Sequence, residues 1–104
     1  MNGDQIMNNT GSFNEYILSN LKTDADIKEW INIGFEEFLA DNDLNSFVKA
    51  LEYAVRAKDS ISGISKKTGI SRSNLYAIFN GQQQPQLSTT LKILKELGFS
   101  IKVA

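Results

Sequence analysis

The stretch SGISKKTGISRSNLYAIFNGQQQP, from Ser62 to Pro85, decides the fold. It contains no His, no Cys and no acid. Two short runs with apolar residues at helical spacing flank Thr68-Gly69-Ile70-Ser71. Gly69 tolerates the positive φ that a tight turn needs. Ile61 and Ile64 on the first run, Ile70 in the turn, and Leu75 and Ile78 on the second stand at offsets that pack two helices at a fixed angle. Ser71 stands where the second helix wants its N-cap, and Phe79 closes the core behind it. This spacing matches a helix-turn-helix, whose second helix enters the DNA major groove. A plain helical hairpin satisfies the same spacing and remains the alternative.

With the buried positions subtracted, the second helix presents Arg72, Ser73, Asn74, Tyr76, Ala77 and Asn80. No acid lies on that face. Arg bonds guanine through two donors, Ser reads either base class, Asn pairs with adenine or holds a phosphate, and Ala77 is small enough to sit against a thymine methyl. Tyr76 contacts a base or sugar, or packs on the loop. Base reading is therefore expected from Arg72, Ser73, Asn74, Tyr76 and Ala77. Backbone contacts are expected from Ser62, Lys66 and Lys67 on the preceding helix, and from Ser71 and Asn80 at the ends of the reading helix.

Outward from this stretch, the pattern stays helical. Leu87, Leu91, Leu94 and Leu97 stripe a last helix that Gly98 ends, with Ser88 or its neighbour as cap. Upstream, Leu44, Phe47, Val48, Leu51, Ala54 and Val55 form one stripe behind a capping Asp43. Before it, Ile27, Trp30, Ile31, Gly34, Phe35 and Phe38 form another, with Asp24 as the expected cap. A short helix is expected over Phe13 to Leu21, capped by Ser12. Residues 1–12 read as a disordered tail. The ending FSIKVA alternates apolar and polar, the period of a strand over 99–103. An unpaired terminal strand needs a partner, either its copy in a dimer or another protein's sheet.

The charge is divided between the halves. Residues 1–47 hold nine acids and two bases, net −7; residues 48–104 hold nine bases and three acids, net +6. Such division suggests two kinds of partner. The absence of His and Cys removes the usual general base, the commonest metal ligand and any disulfide framework. Glu36 and Glu37 are adjacent and do not face each other on a helix, so they make no acid pair. An enzyme is not expected, nor a metal or cofactor. No apolar run approaches the length of a membrane span, and the N-terminus lacks the basic start and apolar run of a signal peptide. The cytoplasm is the expected location.

TGISRSNLYAIFNG resembles the DNA-reading segment of Cro/CI-type phage repressors, including the lambda repressor. Residues 60–97 resemble that whole domain, with PQLSTTLKILKELG as its last helix. The longer order resembles the HigA-like family of addiction-module antidotes: the acidic amphipathic helix after YILSNL, then LYAIFNG, PQLS and LGFSIKV. It covers about Phe13 to Ala104. The resemblance implies an antitoxin that neutralises a small, basic RelE/HigB-like ribonuclease toxin and represses their shared operon. Arg72, Ser73, Tyr76 and Ala77 match the family's base-reading positions, and Ser62 and Asn80 its phosphate-contacting ones. Three residues depart from the pattern: Ser65 where a tight-packing Ala is usual, Gly63 inside the first helix, and Ile61 where many relatives have Gln.

The expected architecture is all-α and lambda-repressor-like. It has five or six helices, an acidic helical region over 13–58, a helix-turn-helix region over 60–97, and a short C-terminal strand. The expected partners are double-stranded operator DNA with an inverted repeat, a basic toxin, and a second copy in a homodimer. A stand-alone repressor and a helical interaction protein that does not bind DNA are the alternatives.

Overall fold

The computed structural model describes residues 15–100, and all regular structure among them is helical. Six helices follow in order: α1 (helical over 15–20), α2 (Asp24–Asp41), α3 (Leu44–Lys58), α4 (Ile61–Thr68), α5 (Arg72–Phe79) and α6 (Leu87–Glu96). The expected N-terminal tail and the Ser12 cap lie outside the described residues.

Each boundary has a local cause. Thr23, not Asp24, caps α2: its hydroxyl accepts from the Asp26 amide, and the Asp26 carboxylate accepts from the Thr23 amide in return. This reciprocal box satisfies two amides that a helix start leaves orphaned. Asn42 stops α2 in the left-handed region at φ 57°. Asp43 then caps α3 as expected, its carboxylate accepting from both the amide and the hydroxyl of Ser46. Ser60 caps α4 and Ser71 caps α5.

α3 is the central element. One side carries α2, which finds its main packing partner there, and α3 also meets α4 and α5. Leu51, Ala54 and Val55 are fully buried. At Gly34 the two helices are close: a Cβ there would lie 2.7 Å from the Cβ of Ala50. Ile64, Leu75, Ile78, Phe79 and Ile93 complete the interior, with Ile17 and Leu21 at its upstream end.

Three expectations about the C-terminal part need correction. The stripe of α6 is Thr90, Ile93, Leu94 and Leu97, while Leu87 and Leu91 are 71% and 42% exposed. The helix is rotated so that Ile93 is fully buried, leaving Leu87 and Leu91 roughly 70–110° round the barrel from the buried centre. Gln86 precedes α6 without a side-chain cap, so Ser88 does not serve as one. The strand expected over 99–103 is absent at Phe99 and Ser100, and its remaining residues lie outside the described ones. Phe99 belongs instead to the end of α6. Gly98 is left-handed at φ 90°, its amide bonds Lys95 O, and the Phe99 amide bonds Leu94 O. That pair of bonds is a Schellman cap.

Candidate nucleic-acid interface

The turn between α4 and α5 is built from side chains that keep its carbonyls and amides occupied. Gly69 ends α4 at φ 79°, and its amide bonds Ser65 O at 2.9 Å. The Ser65 hydroxyl donates across the turn to Ile70 O at 2.6 Å. Thr68 Oγ1 donates to Ile64 O and accepts from the Ile70 amide. At the start of α5 the Ser71 hydroxyl accepts from the Asn74 amide at 3.1 Å. The buried face of α5 is Leu75, Ile78 and Phe79. With that face fixed, Arg72, Ser73, Tyr76 and Asn80 are exposed, while Asn74 and Ala77 are half-buried.

The far end of α5 is held as well. Gly81 turns at φ 80°, and the amides of Gln82 and Gln83 both bond Ala77 O. The loop that follows is therefore anchored to the helix it leaves.

The expected backbone-contacting residues are in three situations. Ser62 is exposed and accepts from Arg72 Nη1 at 3.4 Å, so these two expected contacts, from different helices, come together. Lys66 is exposed with no ion pair among the described residues. Lys67 is exposed but engaged, its ammonium 2.7 Å from the Asp59 carboxylate. That bond raises the lysine above its ordinary value and, with the Ser60 amide, holds Asp59 below the ordinary carboxylate value.

Two of the residues that depart from the repressor pattern acquire reasons. Ser65 supplies the hydroxyl that bridges the turn, which an Ala could not do. Gly63 leaves room for Asp59: a Cβ at position 63 would overlap the Asp59 carboxylate oxygen. Sequence reading missed both roles, because each depends on a residue just outside α4, Ile70 in the turn and Asp59 before the Ser60 cap. Asp59 was legible only as one of three acids in a basic half.

A second surface lies on the outer face of α2. Glu29, Ile33, Glu36, Glu37 and Ala40 share that face by their spacing, and all are exposed. Ile33, 45% exposed, stands among the three acids.

The chain resembles known proteins in the same sense. Residues 12–104 match the family described as probable addiction module antidote proteins. The chain belongs to that family. A Haemophilus influenzae protein, itself described as uncharacterized, is 30% identical over 76 residues, covering 73% of this chain and 77% of that protein. No solved structure matches. An antidote family implies a cognate toxin as partner. Among the described residues, no helix is long and apolar enough to cross a membrane.

Proposed function

We propose that the chain is the antitoxin of a two-gene module. It neutralises a small, basic RelE/HigB-like toxin and represses their operon by reading an inverted repeat. The observation that carries the proposal is a hydrogen-bonded turn presenting an acid-free helix, α5, in a chain of the antidote family. In this reading Arg72, Ser73 and Tyr76 meet base edges, and Ser62 and Lys66 meet phosphates. The work is binding, with no catalytic step and no cofactor, and its place is the cytoplasm.

The toxin's grip is the outer face of α2. A basic surface is drawn to Glu29, Glu36 and Glu37, and Ile33 gives an apolar anchor inside that ring. Charge steers the encounter, while a desolvated anchor holds it.

Two measurements test the proposal. Inducing the adjacent small open reading frame should arrest growth, and co-expression of this chain should relieve the arrest. Ile33→Asp should abolish relief while leaving retardation of the operon's own promoter fragment intact. Absence of arrest favours a stand-alone repressor. Absence of retardation overturns DNA reading.

A further inference from the structure

One cation of the reading surface is already occupied. Lys66 and Lys67 are both exposed at the end of α4, and of the two it is Lys67 whose ammonium meets an acid, 2.7 Å from Asp59 Oδ2. The other Asp59 oxygen accepts from the Ser60 amide at 2.8 Å, so the carboxylate is held from both sides. The Asp59 side chain is 21% exposed, against 55% for Lys67. Glu96 on α6 adds a lesser attraction on the same ammonium.

Helical spacing alone does not make this pair. On α3, Glu52 meets Lys49 and Arg56 at the ordinary spacings of three and four residues. Asp59 and Lys67 stand eight residues apart, across the start of α4. Their meeting requires position 63 to lack a side chain, because a Cβ there would overlap the Asp59 carboxylate. Gly63 lies inside an eight-residue helix, where glycine is disfavoured. The row of Gly63 and Lys67 is about 100° round the helix from the row of Ser62 and Lys66. The pair thus borders the row expected to meet phosphates.

We propose, resting on the DNA-reading assignment above, that Asp59 restrains Lys67 and so limits the sequence-independent part of the chain's DNA affinity. A lysine that reaches a phosphate releases a counterion, and that gain is the same on every sequence. Lys67 makes such a contact only by exchanging one anion for another. Ser62 and Lys66 then carry the backbone contacts of α4, and discrimination is left to α5. An ammonium has three donors, so the opposite role, Asp59 presenting Lys67 to a phosphate, differs in sign. Charge favours restraint, because the carboxylate would approach the phosphate together with its lysine.

The test is retardation of the promoter fragment and of an unrelated duplex by the full chain and its variants. Asp59→Asn keeps an acceptor for the Ser60 amide and removes the charge. It should tighten binding to both duplexes several-fold at low salt. Between about 50 and 200 mM salt it should lose about 3.5-fold of that advantage for each chain bound, the signature of one added phosphate contact. Gly63→Ala leaves the net charge unchanged, pushes the carboxylate aside and should also tighten binding, with unchanged far-UV circular dichroism. In a Lys67→Ala background, Asp59→Asn should leave affinity unchanged. Without DNA, acetic anhydride should modify Lys67 more slowly than Lys66 in the unmodified chain and equally fast in Asp59→Asn, read by mass spectrometry. Weaker binding by Asp59→Asn would make Asp59 a presenter of Lys67, and an equal gain in the Lys67→Ala background would make it a plain repulsion of phosphate. Either result overturns the restraint, as do a gain confined to the promoter, Gly63→Ala binding like the unmodified chain, and equal acetylation of the two lysines in the unmodified chain. If the unmodified chain retards its promoter and Asp59→Asn binds no tighter, the restraint alone falls. If none of the proteins retards either duplex, the DNA reading falls with it.

Discussion

Gly34→Ala tests how closely α2 and α3 are fitted. Two effects oppose each other. Removing a glycine from mid-helix gains about 1 kcal/mol of helix propensity. The new methyl would stand 2.7 Å from the Ala50 Cβ and 3.4 Å from both the Phe47 Cα and the Ser46 carbonyl oxygen. None of these is the free end of a flexible side chain, so the helices themselves must separate. Overpacking of that kind costs about 1–3 kcal/mol. The net expectation is a loss of about 0–2 kcal/mol, against the gain that propensity alone would give. The decisive variant is the double one, Gly34→Ala with Ala50→Gly. Ala50→Gly alone loses about 1 kcal/mol of propensity on α3. In the double variant the closest contact is gone, so the two changes should couple favourably by about 1–3 kcal/mol. Urea unfolding of the four proteins, with equal slopes, measures the cycle. Additivity within about 0.5 kcal/mol would refute the reasoning.

Three further outcomes follow from the interface and the caps. Arg72→Ala should weaken binding by about 1–3 kcal/mol at sequences with the preferred base at one position, and relax preference there; an equal loss on every sequence would show that Arg72 only holds phosphate. Lys66→Ala should flatten the salt dependence of binding by about one unit of slope, whereas Lys67→Ala should change it less, because Asp59 already engages that ammonium; retardation over a salt series compares the two. Asp26, Asp43 and Asp59 are held below the ordinary value of 3.8 by hydrogen bonds, chiefly from Thr23, Ser46 and Lys67 respectively. Their stabilisation is present above 3.8 and is lost as pH falls through the lower folded values. Unfolding midpoints should therefore drop as the solution is acidified below about pH 4, and Asp43→Asn should flatten that drop.

Much of this architecture was legible because it is local. The stripes of α2 and α3, the Asp43 and Ser71 caps and the Gly69 turn each follow from residues a few positions apart. The rotation of α6 was not legible. Its leucines at 87, 91, 94 and 97 make a plausible stripe, and so do Thr90, Ile93, Leu94 and Leu97. Periodicity does not choose between them; the tertiary packing that buries Ile93 completely does. Phe99 was read as strand because alternation and a helix cap look alike over three residues, and only the bonds back to Leu94 and Lys95 separate them. At the interface, the outward residues of α5 emerged from subtracting its core. The Ser65 bridge and the Asp59–Lys67 pair did not, since both join residues from different elements.

One ammonium gives the molecule a closed circuit. Lys58 Nζ, at the end of α3, lies 3.1 Å from the Asp24 carboxylate at the start of α2, donates to Leu97 O at 2.7 Å, and stands 5.4 Å over the Phe99 ring. The chain from Asp24 to Leu97 is thus tied end to end through its middle. The two ties are unequal. Asp24 is 74% exposed, so water competes for its side of the pair, whereas the carbonyl bond is partly buried. On a ribosome the stronger tie forms last, because Leu97 is made thirty-nine residues after Lys58. Until then the ammonium reaches only Asp24, while α2 and α3 are held by their packed apolar faces. The more exposed pair at the start of α2 is the one that water and salt weaken first, while the carbonyl bond still joins α3 to the end of α6.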